Sequence, residues 1–462
     1  MSDIIYPTLD LFLYDLRNGL GESQAEIEQN RIQFQKKLPA SVHPLLFQKD
    51  NYFEVEYQEL LPKVHPFETP SEPDSLQGYY YPVRLGDTYG LILDCSINNQ
   101  TEPQPAQSFA TLKTEIEQRS LREASLTHGE TATIGQSWIM SGWLAHPESQ
   151  NPDAIAKACY KSLIPNGNWQ QDLEGQGQFL GATIYELKRY RLVMQEDTDI
   201  TNLANLQDNH HVLIILYPNR AAAETAARFY DDWLRLFCYR NKILWAYSQS
   251  RLLKQTIKHH FAAIEAGRKS IHLARSQRRE FDKVRQHLDQ TQDILNRYTI
   301  NLNQLDFQAR TIDINLSNYK KRVARIAKQS DSDLAFLNEF SELVTDKYLL
   351  QIHKDTENLE RGLRLLEDTI NAIRSRVELD KAERDRNFQD TVAVIGVGWT
   401  VGSFVASLEK LGEDKQDPVR LLISNSQLVP KPWVEPAIPL TYTLTVALAA
   451  ALVTWLIRRF WA

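Results

Sequence analysis

The sequence predicts a soluble α+β or α/β head, then a long all-α helical body with a coiled-coil stalk, then a two-helix transmembrane hairpin. Three observations predict this. The first 218 residues mix strand-like and helix-like patterns. The 199 residues between Pro218 and Pro418 contain only six glycines and no proline, which is the composition of nearly continuous helix. Finally, two uncharged runs, 391–408 and 437–457, hold 18 and 21 residues. At about 1.5 Å per residue each approaches or crosses a hydrocarbon core of about 30 Å.

The boundaries follow from these shifts: an acidic head over 1–218, a basic helical bundle over 219–344 and a heptad stalk helix over 345–390. A first span over 391–408, an external loop over 409–436, a second span over 437–457 and a basic tail over 458–462 complete the chain. At 42% hydrophobic and 10% aromatic residues, packed cores are affordable and disorder is excluded. The net charge of −7 divides unevenly, with 15 Lys+Arg against 29 Asp+Glu up to residue 218 and 37 against 30 beyond it. Cys95, Cys159 and Cys238 follow no ligand spacing and read as buried thiols. Asp3, Asp10 and Asp15 leave no basic region for a cleavable signal peptide, so the body is expected in the cytoplasm.

Within the head, Leu9, Phe12, Leu13 and Leu16 share one face of a predicted first helix, broken by Gly19 and Gly21. Ser23 and Glu26 form a capping box that starts a second helix, reaching about Leu38. Residues 62–77 and 98–107 read as loops. Between them, Tyr79–Leu85, a Gly86-Asp87 turn and Tyr89–Ile97 read as a hairpin. Further strands are expected at 134–144, 183–192 and 211–217, and helices at 109–121 and 153–163.

In the helical body, Gly267 and the Ser330–Asp333 cluster are the expected interruptions. Ten Lys+Arg against three acidic residues from Arg251 to Arg285 make that stretch the expected seat of an anionic ligand or lipid headgroups. Leu349, Ile352, Thr356, Leu359, Leu363, Leu366, Ile370, Ile373 and Val377 recur at spacings of three and four, the seam of a coiled coil. Whether it closes between chains, making a homo-oligomer, or within one chain is open at this level.

The first uncharged run carries Gly396, Gly398 and Gly402 in a GxGxxxG string. A dinucleotide site would need repeated βαβ units, which are absent here, whereas Gly398, Gly402 and Ala406 make the small-residue face of a packed membrane helix. Basic residues flank both runs, with Arg384 and Arg386 before the first and Arg458 and Arg459 after the second. That bias predicts a two-pass protein of an inner or internal cell membrane with both termini cytoplasmic and the lipid bilayer as partner.

A cytoplasmic head, long helices, a heptad stalk running into a first span, and a second span ending in basic residues resemble the CorA-type divalent-cation transporter superfamily. The resemblance covers 210–462. It implies stalk helices assembled around a central pore lined by the first span, and hence an oligomeric channel or transporter gated by its body. The family's Gly-Met-Asn motif is missing, since the run ends Ser403-Phe404-Val405-Ala406-Ser407-Leu408. The alternative is a membrane-anchored scaffold or sensor whose coiled coil recruits a partner. No P-loop, nucleophile elbow, kinase signature, zinc-ligand spacing or nucleic-acid motif is present, so no enzyme is expected and no catalytic residue is named. No cofactor is evident, and a divalent cation held by the acidic head is the one left open.

Overall fold

The computed structural model describes residues 3–47, 56–70, 75–121, 132–192, 207–276 and 281–382. Its centre is the first stretch of the sequence. Asp3–Leu16 is not a helix but β1, a strand in the middle of a ten-stranded sheet. Leu9, Leu11 and Leu13 point to one face and Asp10, Phe12 and Tyr14 to the other, and all six are buried. A strand covered on both faces is apolar at nearly every position, so the helical spacing of Leu9, Phe12, Leu13 and Leu16 carried no information about period.

The remaining strands are β2 (Gln58–Glu59), β3 (His65–Thr69), β4 (Leu76–Leu85), β5 (Thr88–Ile97), β6 (Gln104–Pro105), β7 (Gly135–Leu144), β8 (Leu173–Phe179), β9 (Ala182–Leu192) and β10 (Gln207–Tyr217). They are ordered β2-β4-β5-β1-β7-β10-β9-β8, with β3 also on β4 and β6 also on β1. Every pairing is antiparallel except β7 with β10. The Gly86-Asp87 turn joins β4 to β5 as the pattern predicts, whereas β3 and β6 run through stretches that read as loops.

Three helices contribute to the core on the Leu9–Leu13 face: α1 (Gln24–Gln35), started by the Ser23–Glu26 capping box, α2 (Ser108–Leu121) and α3 (Pro152–Leu163). After the short α4 (Trp169–Asp172), α5 (Arg220–Ala226) and the 47-residue α6 (Tyr230–Ser276) cover the opposite face. Phe237 of α6 packs edge-on to Phe12 and His211, and Trp233 to Phe179, so α6 touches strands from both halves of the sheet.

Beyond the sheet, α6 lies along α7 (Phe281–Ser330), and α7 ends where Asp331 turns with φ of 48°. Gly267 does not break α6. A Cβ there would come within 2.7 Å of Thr291 Oγ1, so the missing side chain lets α7 approach. After α8 (Asn338–Leu343) and a π-helical turn at Val344–Leu349, α9 covers Leu350–Ala382. The π-helical turn and the first half of α9 pack on the chain's own helices: Tyr348 of the turn stacks on Tyr247 at 4.0 Å, Asp355 accepts from Lys254 at 2.5 Å, and Tyr298 donates to the Leu359 carbonyl at 2.8 Å. By contact density Met1–Leu366 is one compact unit, and the end of α9 belongs to a second, Glu367–Ala462.

The expected fold class is corrected accordingly. The chain is a mixed α/β fold on one ten-stranded sheet, and among the described residues no helix is long and apolar enough to cross a membrane. The long helices carry charged residues on most turns; α7 and α9 bury one stripe, while the first turns of α6 are enclosed on nearly all sides by protein, and both suit packing within the chain rather than in lipid. The two-pass localisation is therefore not supported. Both expected spans, the loop between them and the basic tail lie outside the described residues.

Candidate functional site

Asp10 of β1 and Asp94 of β5 are direct register partners. One row further, Thr8 pairs with Ser96 on one side and Ser141 of β7 on the other. Because alternate residues share a face, this register gathers Thr8, Asp10, Asp94, Ser96 and Ser141 on the sheet face that α5 and α6 cover. Above them opens a cleft of about 800 Å³, walled by Phe67, Tyr79, Trp143, Tyr217 and Tyr230 and rimmed by Glu68, Arg220 and Glu224.

The strand is bent to make this wall. The β1–β7 register slips between Ile5 and Thr8, and within that bulge Tyr6 adopts φ of 51°, a left-handed conformation rare for an aromatic residue. The bulge turns the Tyr6 ring onto Trp143, with centroids 5.5 Å apart, and its hydroxyl accepts from Gln77 at 2.6 Å. Gly78 serves the same wall from the other side, where any Cβ would collide with the Asp94 carbonyl oxygen and the Phe67 ring.

Beneath the cleft lies a pair of carboxyls, of which Asp94 reaches its surface and Asp10 is fully buried beside it. Tyr230, the first residue of α6, donates to Asp10 Oδ2 at 2.6 Å, while the buried Asp10 Oδ1 has no such partner. Burial pushes Asp10 up to about 7, against a smaller downward pull from its hydrogen bonds with Tyr230 and Asp94. Burial and then the neighbouring Asp10 charge hold Asp94 well above the usual carboxylate range. Two such groups opposite one another hold a proton at neutral pH, since both cannot ionise at close range. Tyr79 and Tyr230 are raised too, by burial first and then by these two acids, so they stay neutral hydroxyls.

A second polar cluster lies on the same face, beneath the third and fourth turns of α6. His211 Nδ1 meets Ser137 Oγ at 2.9 Å and His211 Nε2 meets Glu186 Oε1 at 3.1 Å, while Asn241 Nδ2 donates to Ser137 Oγ at 3.0 Å. Burial and then the Arg240 charge push His211 down to about 4, against the upward pull of Glu186. Burial drives Glu186 upward, yet the His211 hydrogen bond and the His211, Arg240 and Lys188 charges leave it below its usual range. A neutral imidazole then donates from Nε2 to Glu186 and accepts from Ser137 at Nδ1. The serine, histidine and acid follow one another as in a hydrolase, but Ser137, Glu186 and His211 are 0%, 1% and 1% exposed and no substrate reaches them. This is a buried network that ties α6 to the sheet.

None of the residues named in the sequence as seam, helix-packing or membrane-flanking positions belongs to either cluster, and the sequence marks Asp10 only as an N-terminal charge. Leu349, Ile352, Leu366 and Ile370 are buried, and Leu359, Leu363 and Ile373 are half-buried. The side chain of Val377 lies outside the described residues, as do Arg384, Arg386, Gly398, Gly402, Ala406, Arg458 and Arg459. In the basic stretch, Arg251 and Lys254 both pair with Asp355, which lowers the free charge of its first turns. The three cysteines are free and buried, with thiols pushed upward by burial. Among the described residues no group of three or more His, Cys, Asp or Glu is placed to hold a metal ion. No family model matches the chain, and no curated protein or solved structure matches it.

Proposed function

We propose that this chain is a ligand-sensing protein, in which the cleft over Asp10 and Asp94 takes a small molecule and α6 carries its occupancy into the paired helices. The observation that carries this reading is the hydrogen bond of Tyr230 to Asp10. The residue that closes the cleft is the first of a 47-residue helix, so anything that alters the carboxyl pair acts directly on the start of that helix. The cleft has the volume and the mixed aromatic and polar walls of small-molecule sites. Strain stored at Tyr6, which costs on the order of 1–3 kcal/mol, is characteristic of sites that position ligands.

The reading calls for no cofactor and no chemical step. It expects a second copy as partner for α7, where Ile300, Phe307 and Ile314 stand exposed at seven-residue spacing. The test is hydrogen exchange on the full chain with cleft ligands found by thermal shift. A ligand present at about 100 times its Kd adds about 2.7 kcal/mol to stability. Occupancy should then slow exchange in Arg220–Ala226 and the first turns of α6. If ligands that protect β5 and β7 leave α5 and α6 unchanged, the sensing reading fails.

A further inference from the structure

The floor of the cleft selects the charge of what it holds. We propose that the ligand is a small organic cation, an ammonium or guanidinium group on an apolar or aromatic body, with its head at Asp94 and its body against Tyr79, Trp143 and Tyr217. The proposal rests on the reading of the cleft as a ligand site and adds the class of ligand.

Three observations converge on it. The first is charge. Among the described residues lining the cleft, Asp94, Glu68 and Glu224 are acidic and Arg220 is the one basic side chain, already paired with Glu224 at 2.6 Å. An anion would find no basic group free of an acidic partner there. The second is a carboxyl at the cavity itself: Asp94 is only 9% exposed, lies beside Asp10 in the sheet register and lines the cleft. A carboxylate buried in this way costs stability unless a donor or a positive charge arrives. The third is the walls. Aromatic faces attract cations through the ring quadrupole, and a site that pairs such faces with a carboxylate favours a cation over a neutral molecule of the same shape.

The carboxyl pair makes binding a proton exchange. Around it stand Tyr79 on β4, Tyr217 on β10 and Tyr230 on α6, neutral hydroxyls, with Tyr6 on β1 beside them and Glu68 on β3 and Arg220 and Glu224 on α5 at the rim. No basic group faces the pair from these elements, so the incoming cation supplies the positive charge. Below neutrality the pair carries both protons. A cation arriving there expels one proton to the solvent and leaves one shared between the acids, so charge balances. Above neutrality that proton has already left, and the cation binds without exchange. Affinity therefore rises with pH up to about 7 and then levels.

Isothermal titration of the full chain tests this with phenethylammonium and agmatine as cations and 2-phenylethanol as the neutral match of the first. We expect at least one amine to bind at least tenfold more tightly than 2-phenylethanol at about pH 7.5, and at least tenfold more weakly at about pH 5.5, with proton release seen at the lower pH across buffers of different ionisation enthalpy. Asp94→Asn should lose the preference for the amine while keeping its melting transition. Should that variant fail to fold, the pH dependence of the unaltered chain decides. Equal binding of 2-phenylethanol, an affinity independent of pH, or no binding of either amine in the millimolar range overturns the proposal. A neutral ligand that binds the cleft and protects α6 would overturn the cation while leaving the sensing reading intact.

Discussion

Two buried titrating clusters on one sheet face should pull the pH dependence of stability in opposite directions. Asp10 has its folded value raised from 3.8 to about 7, so its contribution is fully present below about 4 and is lost as pH rises to about 7. The difference of roughly three pH units corresponds to about 4 kcal/mol at about 1.4 kcal/mol per unit. His211 behaves oppositely. Its folded value is depressed from 6.5 to about 4, so its contribution is present above about 6.5 and is lost as pH falls through that window, by about 3 kcal/mol. Glu186, held below its usual range, adds to the loss on the acid side. Within about pH 4 to 7 the two clusters oppose one another, and because Asp94 is raised along with Asp10 the carboxyl arm is the larger, so the unaltered chain should lose stability towards neutrality. The double variant Asp10→Asn/Asp94→Asn removes one arm, and because Asp94 is raised as well, its stability relative to the unaltered chain should climb by more than about 4 kcal/mol from about pH 4 to 7. His211→Gln removes the other arm and should tilt the profile towards acid. Urea unfolding at several pH values measures both. If the double variant differs from the unaltered chain by the same amount at the two ends of the window, the carboxyl pair does not hold its protons as the burial of Asp10 and Asp94 requires.

Other consequences can be measured on the same preparation. Gly267→Ala should destabilise by about 1–2 kcal/mol despite the better helix propensity of alanine, because its Cβ meets Thr291 Oγ1, and adding Thr291→Ala should restore most of the loss in thermal unfolding. Asp355→Asn leaves Arg251 and Lys254 without their carboxylate and should raise hydrogen exchange in the first turns of α9, at a cost of about 1–2 kcal/mol. Ser137 should resist fluorophosphonate labelling in the native chain and label no faster than other serines. Rapid stoichiometric labelling would mean that the buried network opens to substrates. Ile300→Glu with Ile314→Glu should lower the mass measured by light scattering if a second copy sits on α7, and an unchanged mass would remove that partner.

Features set by local chemistry were legible in the sequence. The Ser23–Glu26 capping box, the Gly86-Asp87 turn and the proline-free helices each depend on residues a few positions apart. What depends on register was not legible. Asp10 and Asp94 are 84 residues apart, and only the pairing of β1 with β5 makes them neighbours. A lone acid inside each apolar run, Leu9–Phe12 and Leu91–Cys95, was the available signal, since an unpaired carboxylate is rarely buried in a strand. Reading β1 as a helix hid that signal, because on a helix Asp10 would face solvent. The two adjacent histidines divide in the same way: on a strand His211 faces Glu186 while His210 turns to Tyr160 on the opposite face. The heptad seam was visible as a pattern, but a pattern does not name its partner. Tyr247, Lys254 and Tyr298 of the same chain meet the helix that carries it.

The sheet is two antiparallel meanders joined by the single parallel pairing of β7 with β10, and one helix lies over that join. During synthesis the strands emerge before α6 does, so the face that bears Asp10, Asp94, Glu186 and His211 is at first wet and its acids are ionised. When α6 settles, water leaves, the carboxyl pair must regain a proton and His211 must shed any it carries. Covering this face with α6 is thus a transfer of protons as much as a docking of side chains.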